Sequence, residues 1–380
     1  MRIVTAIDSF KGSASAQKAA ESIERGIKSV FPDAVVCNYP LADGGEGLVE
    51  AILTICPGSK CEAMVKDPLG RNITAFYGLL DNGTAVIEMA AASGLPLLTK
   101  EERNPWHTST YGTGQLILAA LDAGANEIML GLGGSATNDG GMGMARALGI
   151  RFLDENGAEL EGVGGDLEKV KTVDVTGKDR RLEAVSIRMA CDVTNPLCGR
   201  EGASHIFAGQ KGADEAMRYQ LDTGMKQYAE AIKEACGVDY ADVAGAGAAG
   251  GLGVPLLAFF GASTASGIEL VLDTLQMDED LQRADLVITG EGRLDGQTLF
   301  GKAPIGVAKR AKQYGKPVIA LTGSIGDGYR DVYQGGIDAV FSIQNGPCSL
   351  EESMNNTEYL LEDCAHRVMQ FYKNVKKASL

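Results

Sequence analysis

An α/β fold with a parallel sheet, in two domains of which one is split along the chain, is what these 380 residues predict. Three observations carry the prediction. Short apolar runs alternate with amphipathic helical stretches at both ends of the chain, which is the pattern of strands joined by helical crossovers. Neither end supplies enough strands for a sheet of ordinary size: the first gives two and the last three, whereas together they give about five. The long middle has strand and helix signals of its own, so it reads as a second domain inserted at a surface loop of the first.

Arg2 to Ile7 is an apolar run short enough for a buried strand, and Ala16 to Val30 places its apolar residues at helical spacing. Val35 to Tyr39 and Gly47 to Ile55 repeat the strand and helix. At the far end, strands are predicted at Asp285 to Thr289, Pro317 to Leu321 and Ala339 to Ile343, with helices at Ile305 to Gln313 and Tyr359 to Val375. The split domain thus takes residues 1–66 and 284–380, and the insert takes 67–283. Asp67-Pro68-Leu69-Gly70 has the residues of a type I turn and leads into paired strands at Ile73 to Leu80 and Thr84 to Met89. Further helices are predicted at Thr113 to Ala123 and Ala213 to Cys236.

The net charge is −15, from 50 acidic and 35 basic side chains, which disfavours a protein that coats nucleic acid or an anionic membrane. Eight scattered cysteines without a C-x-x-C pair, and three distant histidines, argue against zinc and for a reducing compartment. With no apolar leader and no run long enough to span a bilayer, the expectation is a cytoplasmic enzyme acting on small molecules. The oligomeric state stays open, a homo-oligomer included.

The 50 glycines exceed the roughly 7% of ordinary usage, and they gather where strands end. Backbone N–H groups that are not shielded by side chains can cradle phosphate, and the interleaved carboxylates suggest a divalent cation beside it. Asp8 to Ser13, containing Ser9 and Lys11, leaves the first strand at the start of a helix; Ser13 or Ser15 would also serve as that helix's N-cap. Asp43, Gly44, Gly45 and Glu46 leave the second strand in the same way. Gly133, Gly134, Ser135, Thr137, Asn138 and Asp139 lie between a strand and a helix, with hydroxyls for phosphate and Asp139 for Mg²⁺ or for capping.

Two matches look more familiar than they are. Gly245 to Gly250 has the spacing G-x-G-x-x-G, with Glu269 near the position of a ribose acid, but no strong strand precedes it. An anion site at Gly247 and Gly250 and close packing of small residues are equally open there. Gly296 to Lys302 matches most of a P-loop, but Ala303 replaces the Mg²⁺-binding hydroxyl residue. Glu291, Arg293, Asp295 and Lys302 nonetheless follow a strand end, where open α/β sheets bind ligands. Asp192, at the end of the apolar stretch Val185 to Cys191, could ligate metal or accept a hydroxyl proton, with an Asx turn as the plainer alternative.

With DSFKGS at Asp8, ADGGEG at Ala42, GLGGSATNDGG at Gly131, CDVTNPLCG at Cys191, GAGAAGGLG at Gly245 and TGEGRLDGQT followed by GKAP from Thr289, the chain resembles the type 1 glycerate kinases over its whole length. The resemblance implies ATP-dependent phosphorylation of D-glycerate, with 2-phosphoglycerate as the product of the bacterial members it looks most like. It also implies a flavodoxin-like (Rossmann-like) domain from both chain ends and an insert with a restriction-endonuclease-like fold. Under this reading ATP and Mg²⁺ are the cofactors, and Lys11, Arg293 and Lys302 supply positive charge. Asp192 and Glu291 are the metal candidates, and Asp295 or Asp192 is the base. An NAD(P)-dependent oxidoreductase of a small hydroxy acid, resting on the Gly245 cluster, is the alternative.

Overall fold

Parallel pairing between the first strand and one nearly three hundred residues later organises one half of the computed structural model, which describes residues 1–42, 45, 47–299 and 301–378. In chain order the strands are β1 (Arg2–Ile7), β2 (Val35–Pro40), β3 (Gly58–Lys66), β4 (Asn72–Leu80), β5 (Thr84–Glu88), β6 (Glu127–Gly131) and β7 (Arg151–Leu153). They continue with β8 (Thr172–Asp174), β9 (Ser186–Ala190), β10 (Ser263–Ala265), β11 (Leu286–Leu294), β12 (Val318–Ile325) and β13 (Ala339–Ser342). The chain divides into two compact units, one of Met1–Asp43, Glu50–Cys56 and Ile268–Leu380, the other of Gly44–Val49 and Pro57–Gly267.

The unit that contains both chain ends holds a five-stranded sheet in the order β13-β12-β11-β1-β2, every neighbour parallel. Counted within this unit the order is 2-1-3-4-5, the flavodoxin-like arrangement. β1 is fully covered because both of its faces are packed. Ile3 and Ile7 join a core with Ala19, Ile23 and Ile27 of the helix Ala16–Val30 and with Leu361, Ala365 and Met369 of the helix Thr357–Ala378. Val4 and Ala6 point the other way by strand alternation and are equally buried. The helix Ala303–Gln313 packs against β11 and β1.

The first helix shows how sequence fixes local structure here. Ser15 sits in extended conformation and its side chain accepts from Lys18 N, so of the two cap candidates it is Ser15 that starts the helix. Its buried positions, Ala16, Ala19, Ala20, Ile23, Ile27 and Val30, recur at helical spacing and form one apolar face. Gly26 lets the helix Thr357–Ala378 approach: a Cβ there would stand 2.3 Å from Glu362 O and 2.7 Å from Ala365 Cβ.

The other unit carries a six-stranded mixed sheet, β10-β9-β6-β5-β4-β3, and a small antiparallel pair, β7 with β8. β4 pairs antiparallel with both β3 and β5, while β5, β6, β9 and β10 run parallel. The turn at Asp67 forms as its residues suggest: Gly70 N donates to Asp67 O at 3.0 Å, and Asp67 Oδ1 accepts from Leu69 N and Arg71 N. It joins β4 to β3, a strand the sequence reading did not identify. β3 alternates Lys60, Glu62 and other exposed residues with half-buried ones, so it lacks the apolar run that marks a buried strand. The helix Glu215–Cys236 is closed by the Asp214 carboxylate, which accepts from Met217 N at 2.8 Å, and by Gly237 at φ 76°.

The close approach at Gly26 yields a test. Replacing it with Ala gains about 1 kcal/mol of helix propensity, but the overlap with backbone atoms costs about 1–3 kcal/mol. With backbone atoms that cannot rotate away as the nearest neighbours, the upper part of that cost applies, and Gly26→Ala is expected to lower stability by about 1–2 kcal/mol in urea unfolding. An unchanged or raised midpoint would mean that the two helices are not packed this closely.

Candidate active site

In a sheet of order 2-1-3-4-5 the chain leaves β1 toward one edge and returns at β11 on the other side, so the loops that follow these two strands diverge and open a crevice. A cleft of about 800 Å³ lies there, lined among others by Ser9, Lys11, Glu291, Arg293 and Lys302. Five of the residues singled out in the sequence are thus gathered in one place. Asp8, also on the wall, ends β1: its N–H donates to Gly290 O, and its carboxylate accepts from Ser9 N at 2.6 Å. Ser13 is engaged locally, its hydroxyl donating to Phe10 O, and Gly12 adopts φ +80°, which closes the loop tightly enough to present Lys11 outward.

β11 stays in register with β12 beyond the core, pairing Glu291 with Thr322 and Arg293 with Ser324, which fixes the second wall of the crevice. Gly290 makes this possible, because a Cβ there would lie 2.0 Å from Leu321 O. Glu291 is buried and accepts from Thr298 Oγ at 2.6 Å, while its other oxygen faces Lys302 Nζ at 3.5 Å. Burial pushes its carboxyl above the usual range, with the Thr298 hydrogen bond and the Lys302 charge opposing. Asp295 lies beside the same cation at 3.9 Å and beside Arg293 Nε at 3.3 Å, and accepts from Gln297 N. Lys302 occupies the N-cap position of the helix Ala303–Gln313, where the helix dipole adds to its attraction for anions.

In the other unit the glycine loop after β6 is organised differently. Gly133 and Gly134 are exposed and Ser135 is buried. Asp139 is wholly buried: it accepts from Thr110 N and Thr110 Oγ1 at 2.7 Å each, and from Gly141 N and Gly143 N at 3.2 Å each. Four donors match the acceptor capacity of a carboxylate. The arrangement makes Asp139 an anchor between two helix starts and leaves it no oxygen for Mg²⁺. Asn138 Nδ2 donates to Ser204 Oγ, whereas Asn138 Oδ1 and Thr137 Oγ1 are buried without a protein partner.

The Gly245 cluster resolves toward packing. Gly247 N donates to Asn195 O, and a Cβ on Gly247 would stand 2.2 Å from Pro196 O. Gly250, at φ +77°, accepts from Gly140 N and has Thr137 O 2.1 Å from where its Cβ would be. These glycines bring three backbone segments together, which removes the observation on which a dinucleotide site rested. Asp192 Oδ1 accepts from Ser266 Oγ at 3.0 Å and from Gly267 N at 2.9 Å. Gly45 is half-buried, and Asp43 and Gly44 lie outside the described residues.

Two features were not singled out from the sequence. The cleft wall formed by Gln344, Pro347, Cys348, Leu350 and Met354 carries neither a glycine run nor a charge cluster, so nothing marked it. Lys211 is fully buried and donates to Thr137 O at 2.6 Å, inside the loop that Asp139 anchors. Burial pulls its ammonium down to about 7, with the Asp139 charge opposing.

The sign of the Lys211 effect follows from proton counts. Between about pH 7 and the ordinary lysine value the unfolded chain binds the proton and the folded chain does not, so stability rises with pH across that window. The difference in unfolding free energy between wild type and Lys211→Met should grow in favour of wild type from pH 7 to pH 10, by up to about 4 kcal/mol. A difference that stays flat across that range would show that Lys211 keeps its proton in the fold.

Comparison with known proteins identifies the family. The family model described as the glycerate kinase family matches residues 3–373. The chain is 52% identical to the glycerate 2-kinase of Escherichia coli K12 over 354 residues, 93% of either protein. It is 50% identical to the glycerate kinase of Bacillus subtilis 168, covering 99% of both. A crystal structure assigned as a glycerate kinase 2 from Salmonella typhimurium LT2 superposes with a TM-score of 0.88 at 47% identity, covering 99% of each chain. The chain belongs to the glycerate kinase family.

Proposed function

We propose that this protein transfers the γ-phosphoryl group of ATP to the 2-hydroxyl of D-glycerate, giving ADP and 2-phosphoglycerate. The observation that carries the proposal is the gathering of Lys11, Arg293 and Lys302 in one cleft at the switch point of the five-stranded sheet. Phosphoryl transfer asks little covalent chemistry of a protein; it needs alignment, neutralisation of charge on the transferring group and a place for the accepting hydroxyl. The three cations meet the second need, and a guanidinium such as that of Arg293 also suits a carboxylate or phosphate held by two hydrogen bonds. As the hydroxyl oxygen bonds to phosphorus, the bond to the β,γ-bridging oxygen breaks, ADP leaves with its electrons, and the hydroxyl proton passes to a carboxylate. Asp295 and Asp192 are the proposed acceptors of that proton.

Among the described residues no group of three or more His, Cys, Asp or Glu side chains forms a ready-made metal cage. That donor set still fits Mg²⁺, which commonly takes one or two carboxylates and fills its remaining positions with phosphate oxygens and water. Glu291 would hold it at the cleft; Asp192, in the other unit, is proposed separately as a metal ligand. When bound, Mg²⁺ neutralises charge on the β- and γ-phosphate oxygens. All eight cysteines are free, which supports a reducing, cytoplasmic setting for this chemistry; no helix among the described residues is long and apolar enough to cross a membrane.

Lys302→Ala and Asp192→Asn are each expected to lower kcat for glycerate phosphorylation by about 100-fold or more, while shifting the melting temperature by no more than about 2 °C. Steady-state kinetics alongside calorimetry reads both. Near-normal turnover in either variant would remove that residue from the site, and near-normal turnover in both would overturn the mechanism.

A further inference from the structure

The cleft at the switch point is chemically two-sided. One end presents Lys11, Arg293 and Lys302, along with the acidic Asp8 and Glu291. The other is formed where the chain leaves β13, and there the lining carries no charge: Ile343, Pro347, Leu350 and Met354 with the Cys348 thiol, beside the polar Gln344, Ser349, Ser353 and Thr357. Gln344 fixes this second wall. Its amide nitrogen donates to Gly323 O at 3.3 Å and to Ser353 Oγ, and its amide oxygen accepts from Cys348 Sγ at 3.0 Å. Ser349 and Glu352 close a reciprocal capping box that sets the start of the short helix Leu350–Asn355, so the wall is held from both sides. Met354 reaches across to the opposite loop, its Cε 2.9 Å from where a Cβ on Gly12 would stand.

A volume of about 800 Å³ is near the upper part of the range for cofactor-sized ligands and much larger than a three-carbon acid requires. A small hydroxy acid would use the cationic end and leave the apolar end in water, with Leu350 75% exposed. A nucleoside triphosphate matches both ends, because its charge is confined to the phosphates and its base is a flat, uncharged ring. We propose that the wall formed by Pro347, Cys348, Leu350 and Met354 is the nucleoside subsite, which assigns ATP to the unit built from both chain ends. This rests on the kinase reading above and adds to it where the nucleotide lies and in which direction it points, with phosphates toward Lys11, Arg293 and Lys302.

Cys348 reports on the subsite directly. It is the one exposed cysteine of the eight; burial raises the thiols of Cys198 and Cys364 to about 12 and about 11, which suppresses the reactive thiolate. The full-length protein would be alkylated with iodoacetamide, and the adduct at Cys348 quantified by peptide mass mapping. The additions compared are a non-hydrolysable ATP analogue with Mg²⁺, tripolyphosphate with Mg²⁺, and D-glycerate. The proposal expects the ATP analogue to slow labelling of Cys348 at least about fivefold, and tripolyphosphate and glycerate to leave it within about twofold. Equal protection by tripolyphosphate would place phosphates, not a nucleoside, against this wall. Protection by glycerate alone would make the cleft the acceptor site. An unchanged labelling rate with all three, in a preparation that still converts ATP and glycerate to ADP and phosphoglycerate, would overturn the subsite and leave the kinase reading standing. The same result in a preparation without turnover would sink both.

Discussion

The parallel pairing of β1 with β11 is the constraint on which the candidate site depends. Residues 3–7 lie beside residues 286–290, so a strand that begins the chain and a strand from its last quarter share hydrogen bonds at the centre of one sheet. Long-range pairing of this kind carries a large loop-closure cost in the unfolded chain. Burial of Ile3, Val4, Ala6 and Ile7 on one side, and of Leu286, Val287 and Ile288 on the other, opposes that cost. The pairing makes the chain diverge on either side of its junction. Lys11 comes from one exit and Arg293 and Lys302 from the other, and no single segment could have brought them together.

Burial and partner counting separate charge that serves the fold from charge that is free to act on a ligand. Asp139 and Lys211 are both interior, and the Asp139 oxygens are filled by backbone and hydroxyl donors from the residues they tether. Around the cleft the balance differs. Arg293 is largely exposed, Lys302 is about one-third exposed, and their distances to Glu291 and Asp295 are longer than ideal charge-assisted hydrogen bonds. Such loose pairs contribute little to stability in water, and an incoming phosphate can compete for them. In a chain of net charge −15, Glu291 and Asp295 beside the cations would repel a bare polyphosphate, which favours a nucleotide that arrives with a divalent cation to neutralise both.

The fold was legible wherever burial alone dictated the residues. β1, β12 and the helix Ala16–Val30 stand within a few residues of where periodicity placed them, because a strand covered on both faces and an amphipathic helix write strong patterns, and the half-exposed edge strand β2 keeps enough apolar residues to be found as well. β3 left no such pattern, being half solvated and rich in charge. The site was legible only in part. Strand ends that carry lysine or arginine are visible in sequence because position and charge both mark them, although Glu291 and Arg293, expected beyond the strand, lie within β11, which runs on to Leu294 in register with β12. The Gly245 cluster was ambiguous because glycine serves close packing and anion binding equally well, and only the neighbours at Pro196 and Thr137 distinguish the two. Between Gln344 and Met354 the Ser349 to Glu352 spacing marks a helix start but nothing marks a ligand wall, because apolar lining has no binding motif, and the role of Lys211 depends on a partner seventy-four residues away.

Identification of the phosphorylated product is the most direct test of the central claim. The protein would be incubated with ATP, Mg²⁺ and D-glycerate, and the position of the new phosphate read by phosphorus and proton NMR. A single product, 2-phosphoglycerate, formed in equal amount with ADP, is the predicted result. Release of ADP without any phosphoglycerate, or no consumption of ATP, would contradict the assignment of this cleft to phosphoryl transfer onto glycerate.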